Sequence, residues 1–336
     1  MSKSLRTTTD RFTSLPDDVA HKVVSSLSLE DVSRLSVVSR RCRQLCISMP
    51  SLNVDVRPYL QDATKRTRLM NYVERLFSLR RGVSTHRLCI GWFLDSSVND
   101  KGGGEEEYRI LSWLHNAVTC NVKWLVLYLR LKRGSAFSLP PCLIHSTSLE
   151  SLTACVSINS ILEFPSYSTI ELSSLKTLDL WGVRIDESFG NWVSTCCKFL
   201  RSLYLKQIKE TESIAINSSS ITKLCITSMD YKLCHLQVSA WILEKMSLWW
   251  EFDSANNRTL QLSVPMLRMF VWKGNILRLP LTENLAALKS SASILFRSAS
   301  TLTSQNLIRF YCDFRNLNHP IPNLFDKHSQ VSYITL

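Results

Sequence analysis

No apolar run in this 336-residue chain approaches the roughly 18 residues needed to cross a bilayer. Met1 to Asp10 are polar and threonine-rich. The expectation is a soluble chain of the cytoplasm and/or nucleus, with no membrane partner. Cysteine occurs eleven times but never as C-x-x-C, and the seven histidines are scattered. Zinc fingers and ribbons are thereby excluded, leaving reduced thiols packed as small hydrophobes. No metal and no cofactor is expected. Also missing are a Gly-Lys-Ser/Thr phosphate loop, a dinucleotide glycine motif, a G-x-S-x-G elbow and an H-E-x-x-H helix. His21, His115 and His235 have no partner in the pattern. No catalytic residue emerges, and the chain reads as a binding protein rather than an enzyme.

Acidic residues are few, 28 against 40 basic ones, for a formal net charge of +12. Residues 1–81 hold 15 of the basic and 8 of the acidic residues, so most of the excess lies in the first quarter. Arg40, Arg41 and Arg43 cluster there, followed by Lys65, Arg66 and Arg68. Such a stretch steers association with an acidic protein, binds phosphate, or is simply a solvated face. No RNA-recognition, zinc-finger or helix-turn-helix pattern accompanies it, so nucleic acid is not expected as a partner. Steeply salt-dependent binding to DNA or RNA would revive that reading.

Residues 10–56 carry two helix starts fourteen residues apart. Ser14-Leu15-Pro16-Asp17 and Ser28-Leu29-Glu30-Asp31 each offer a serine cap with an acid three positions on. Val19, Val23 and Leu27 then recur every four residues, and Val32, Leu35 and Val38 every three. A third short helix begins near Ser39 and turns Cys42, Leu45 and Cys46 inward. Three such helices make a small core, leaving apolar surface for a partner.

These residues resemble an F-box of the kind found in plant F-box/leucine-rich-repeat (FBD-like) proteins. The family pattern is matched by Asp10, Arg11, Ser14, Leu15, Pro16 and Asp17, then by Leu27, Asp31, Arg34, Ser36, Val38, Ser39, Arg41, Arg43 and Leu45. Pro50 to Asp55 resembles the family's exit segment. Cys42 and Cys46 stand where the family usually has tryptophan, each ring being worth about 150–250 Å² of burial; Ser28 replaces a common proline. The resemblance implies docking on a Skp-type adaptor and, through it, a cullin. The adaptor-facing candidates are Leu15, Pro16, Val19, Val23, Leu35, Val38, Cys42 and Leu45, some of which must instead hold the helices together.

Residues 57–118 read as a linker helix and first irregular repeats. Leu69, Val73, Leu76 and Phe77 share one face, with Arg and Glu on the other. Residues 87–93 read as a strand. Residues 100–107, with three glycines and three glutamates, read as a surface loop before a helix near residues 108–118. From 119 to 336 a repeat takes over: apolar, two variable, apolar, one variable, apolar. Its starts at Val122, Leu149, Leu175, Leu200, Ile221, Leu243 and Leu267 are spaced by 27, 26, 25, 21, 22 and 24 residues. Weaker copies start at Leu307 and Val331. The spacing is that of leucine-rich repeats, whose short strands bury alternate side chains by stacking on the next repeat. The return path is expected to be polar or helical. Phe189, Trp192, Val193 and Cys196 have helical spacing and mark one helical return. Family members often end in a further small domain; the repeat-like sequence up to Leu336 carries the expectation that this chain lacks it.

The resulting fold is an α/β solenoid, a small three-helix head followed by a curved repeat array with short parallel strands. Residues between the inward leucines line its concave face, and Trp124, Tyr128, Trp181, Tyr204, Lys206, Lys245 and Trp249 are the candidate target-binding residues there. The resemblance implies the substrate-recognition subunit of an SCF-type ubiquitin ligase, its repeats binding an unknown protein. The alternative is a non-ligase repeat scaffold with a degenerate F-box.

Overall fold

The computed structural model describes residues 12, 14–80, 82–94, 103–165, 174–252 and 257–274. Asp10 and Arg11, residues 100–102, the repeats starting at Leu307 and Val331, and the expectation about a C-terminal domain lie outside them. Three short helices come first: α1 (Asp17–Ser25), α2 (Leu29–Leu35) and α3 (Arg40–Ile47). Ser28 caps α2 by accepting the Asp31 N–H at 3.1 Å, and Ser39 caps α3 by accepting that of Cys42 at 3.1 Å. The N-cap of α1 falls two residues past the expected Ser14. Pro16 is the N-cap of α1, with no side-chain capping bond. A residue preceding proline is pushed into extended backbone, so the helix cannot start earlier. Asp17 and Asp18 fill its first turn, where acids favour the helix dipole. The Arg41 guanidinium ties α3 to α1 through Leu15 O at 2.7 Å and Asp17 Oδ1 at 2.8 Å.

The exit from the head is already a strand, β1 (Ser51–Asp55). A 3-10 turn (Arg57–Tyr59) leads to α4 (Ala63–Leu79), then β2 (Arg87–Phe93), α5 (Gly103–Thr119) and β3 (Trp124–Arg130). Then follow β4 (Ala136–Ser138), α6 (Pro141–Ile144), β5 (Ser151–Val156), β6 (Ile161–Glu163), β7 (Thr177–Trp181), β8 (Val183–Arg184) and α7 (Ser188–Cys196). The last described elements are β9 (Ser202–Ile208), β10 (Ser213–Ser218), β11 (Lys223–Ser228), β12 (His235–Ala240), β13 (Lys245–Trp250), β14 (Thr259–Ser263) and β15 (Met269–Gly274).

Nine strands form one parallel sheet in the order β1-β2-β3-β5-β7-β9-β11-β13-β15. Its register stacks Leu52, Leu88, Leu125, Leu152, Leu178, Leu203, Leu224, Met246 and Phe270 as successive Cα partners. All nine are at most 3% exposed. Alternation along each strand sends these side chains inward and the intervening ones outward. Fully burying one leucine contributes about 1.5–3 kcal/mol, and each is covered only because a neighbouring repeat supplies the opposing side chain. The solenoid is thus the leucine-rich-repeat array expected, its ladder extended by β1 and β2 ahead of Val122.

The return path differs from expectation. It runs through strands in two further parallel sheets, β4-β6-β8 and β10-β12-β14, with α7 between them. His235-Leu-Gln-Val-Ser-Ala240 and Thr259-Leu-Gln-Leu-Ser263 alternate apolar and polar residues, the period of a half-buried strand rather than a polar turn. The helical return is present: Phe189, Trp192, Val193 and Cys196 are all buried in α7. This helix lies so close to β10 that a Cβ on Gly190 would sit 1.6 Å from Ala215 O.

Two arginines, Arg66 in α4 and Arg80 at its end, are interior. Arg66 of α4 is 4% exposed and its Nε donates to Glu106 Oε1 at 2.6 Å, while Trp92 Nε1 donates to Glu106 Oε2 at 2.9 Å. Glu106 therefore belongs to helix α5 and not to a surface loop. Glu105 and Glu106 lie in its first turn, favoured by the dipole, and Glu105 pairs with Arg109 one turn on at 2.8 Å. Arg80, fully buried, donates to Ile47 O, to Met49 O and to Thr85 Oγ1 at 2.8 Å. Burial lowers its pKa to about 10, which leaves it charged at neutral pH. Val24, Leu29, Val32, Cys46 and Met49 of the head join the repeat leucines in one continuous core.

Candidate binding surfaces

Helix α1 carries two apolar stripes about 100° apart. Ala20 and Val24 face inward at 0% exposure. Val19 and Val23, with Leu27 just beyond the helix, remain 38%, 42% and 38% exposed. One stripe is enough to seat a helix of this length, so the second is free to meet another molecule. Val37 and Val38, in the turn between α2 and α3, are 74% and 69% exposed. Of the adaptor candidates, Pro16, Val19, Val23 and Val38 are thus exposed, and Leu15 and Leu35 half-buried. Cys42 and Leu45 are corrected: at 1% and 2% exposure they pack the head's own core, because α3 turns them toward α1 and α2. Leu27 was visible in the four-residue spacing. Val37, outside any helix, had no periodicity to reveal it.

Part of the basic charge in the first quarter of the sequence is paired within the chain. Arg41 is engaged by Asp17, Arg34 by Glu30 at 2.6 Å, and Arg66 is buried on Glu106.

The second surface is the outward face of the nine-stranded sheet. Trp124 is 43% and Tyr128 39% exposed; Trp181, Tyr204, Lys206 and Trp249 are half-buried and Lys245 exposed. All seven candidates lie on this face, but Val271, on the same row, is only 3% exposed. The rings are braced by neighbours. His86 meets Trp124 edge-on at 4.7 Å between centroids. The Lys206 ammonium lies 5.1 Å from the Tyr204 ring centre and 5.6 Å from that of Trp181, and bonds Asp179 Oδ2 at 3.0 Å. Lys273 sits 5.6 Å from the Trp249 ring, whose Nε1 donates to Glu251 at 2.9 Å. Lys206 is therefore occupied within the chain, whereas Lys245 is not in an ion pair among the described residues.

Burial raises the pKa of Asp179, more than the adjacent Lys206 lowers it, and it also raises those of Tyr128 and Tyr204. The Cys155 thiol is pushed up to about 11 by burial and by Asp179. This thiol and these phenols are therefore protonated at neutral pH. Among the described residues no cluster of His, Cys, Asp and Glu has the form of a metal site, and no helix is long and apolar enough to cross a membrane.

Two segments of the chain match known families. Residues 12–53 match the family described as "F-box domain". Residues 110–272 match "FBD-associated F-box protein At5g56370, LRR repeats". Among curated proteins of Arabidopsis thaliana, the FBD-associated F-box protein At4g13985 is 26% identical over 232 residues, covering 66% of this chain and 48% of the relative. The F-box/LRR-repeat protein At4g14103 is 28% identical over 186 residues, covering 53% and 44%. The F-box/LRR-repeat protein At2g42730 is 25% identical over 242 residues, covering 69% and 50%. The chain spans about half the length of these relatives.

Proposed function

We propose, on the premise that this chain is an F-box/leucine-rich-repeat protein, that it is the substrate-recognition subunit of an SCF-type ubiquitin ligase. The head docks on a Skp-type adaptor, and through it a cullin, while the sheet face holds a target protein. The chain itself transfers nothing. It acts by keeping the target at high effective concentration beside the enzyme that does, in the cytoplasm or nucleus. The observation that carries this reading is the outward stripe Val19, Val23 and Leu27, apolar surface on an F-box that the chain's own core leaves uncovered.

The alternative, a repeat scaffold with a degenerate F-box, drew on the loss of two tryptophans at Cys42 and Cys46. Both positions point into the head at 1% exposure. Small thiols there alter interior packing and leave the outward stripe in place, which favours the ligase reading. The test is co-purification with a Skp-type adaptor, comparing the intact chain with Val19→Glu/Val23→Glu. Binding lost in the variant at an unchanged melting temperature supports the proposal. A folded intact chain that binds no adaptor would sink it and leave the scaffold.

A further inference from the structure

Charge is unevenly distributed over the open sheet face. In its middle Asp179 and Lys206 neutralise each other. Beyond them, β11 and β13 begin with Lys223 and Lys245, which are Cα partners across adjacent strands. Adjacent strands lie about 4.8 Å apart. Both lysines are exposed, and among the described residues neither makes an ion pair. Like charges side by side on a sheet repel, so an anion laid across them is favoured. One strand further on, Lys273 is exposed beside the Trp249 ring.

We infer that the β11–β15 end of this face holds an extended, Asp/Glu-rich segment of the target protein. Its carboxylates lie on Lys223 and Lys245, and an apolar residue lies against Trp249. The inference rests on the array being the target-binding part of the molecule. Charge complementarity selects the occupant: three cations and one half-buried indole suit carboxylates interspersed with an apolar side chain. A nucleic acid wants a continuous basic track, and here Glu150 and Asp179 interrupt the cations on and beside the same face.

The experiment uses the full chain and a fluorescein-labelled glutamate-rich peptide containing one leucine, read by fluorescence anisotropy. A glutamine-rich peptide of equal length and a single-stranded RNA serve as competitors. Lys223→Glu/Lys245→Glu should weaken binding of the acidic peptide about tenfold or more with no change in melting temperature. Lys232→Glu, the same charge change in the exposed turn between β11 and β12, should leave binding unchanged. Absence of binding, an unaffected double variant, equal affinity for the glutamine-rich peptide, or preference for RNA overturns the inference. Adaptor co-purification run alongside separates the two proposals. Lysine-dependent peptide binding without adaptor binding refutes only the ligase reading; adaptor binding without it refutes only the acidic segment.

Discussion

Arg80, at the end of α4, donates to the carbonyl of Met49 at 2.5 Å, thirty-one residues back along the chain. Met49 directly follows the last turn of α3, where carbonyls lack helical partners. A single guanidinium from the array side therefore closes the open end of a head helix. The same group also reaches Ile47 O and Thr85 Oγ1. Head and array are joined by this fork and by a shared core, not by a tether.

Arg80→Leu should destabilise the protein by about 2–4 kcal/mol, because two buried carbonyls lose their donor. Arg80→Lys should recover only part of this, since an ammonium cannot reproduce the fork that serves three acceptors. Urea unfolding midpoints of the three proteins check the order.

Glu106→Gln should cost about 3–5 kcal/mol, the penalty for stranding the buried Arg66 charge. The Arg66→Met/Glu106→Leu pair should cost less than the two single changes, Arg66→Met and Glu106→Leu, added together. A double-mutant cycle in urea measures the coupling.

Gly190→Ala should lower stability by about 1–3 kcal/mol, because the added methyl meets the Ala215 backbone and α7 must move as a whole. Gly104→Ala, where nothing lies within 4 Å, should instead be neutral or stabilising by about 0.5 kcal/mol. Thermal melting distinguishes the two signs.

Asp179 is held above its usual carboxylate pKa by burial, so the folded protein retains its proton to higher pH than the unfolded chain does. Stability attributable to this group falls as pH rises from the unfolded value of 3.8 through the raised folded one. Relative to Asp179→Asn, the native protein should lose stability across that window. The measurement is the difference in urea midpoint at a series of acidic pH values. A difference that grows in favour of the native protein would mean that attraction to Lys206 outweighs burial.

The repeat register was legible because inward positions recur with fixed spacing, and Leu125, Leu152, Leu178, Leu203 and Leu224 do stack as partners. The return strands were not read, although residues 235–240 and 259–263 alternate apolar and polar side chains, because only a polar or helical return was expected. Arg66 was not legible. Among polar helix neighbours it has the periodicity of a surface residue, and only the fold brings Glu106 to it from forty positions away. The outward stripe of α1 was visible as a pattern, but its direction was not: Val19 and Val23 share their spacing with the buried pair Ala20 and Val24. Which stripe faces in depends on where α3 lies. Cys42 and Leu45 were misassigned for the same reason.

The nine-stranded row also works as a ruler. β1 leaves the head directly and forms one edge of the sheet, and each further strand adds a mark of about 4.8 Å. A molecule gripped over β13 is thus seven marks, about 34 Å along the sheet, from the edge beside the head. Inserting or deleting one repeat would move whatever is held by a fixed step relative to whatever the head touches, without altering either contact surface.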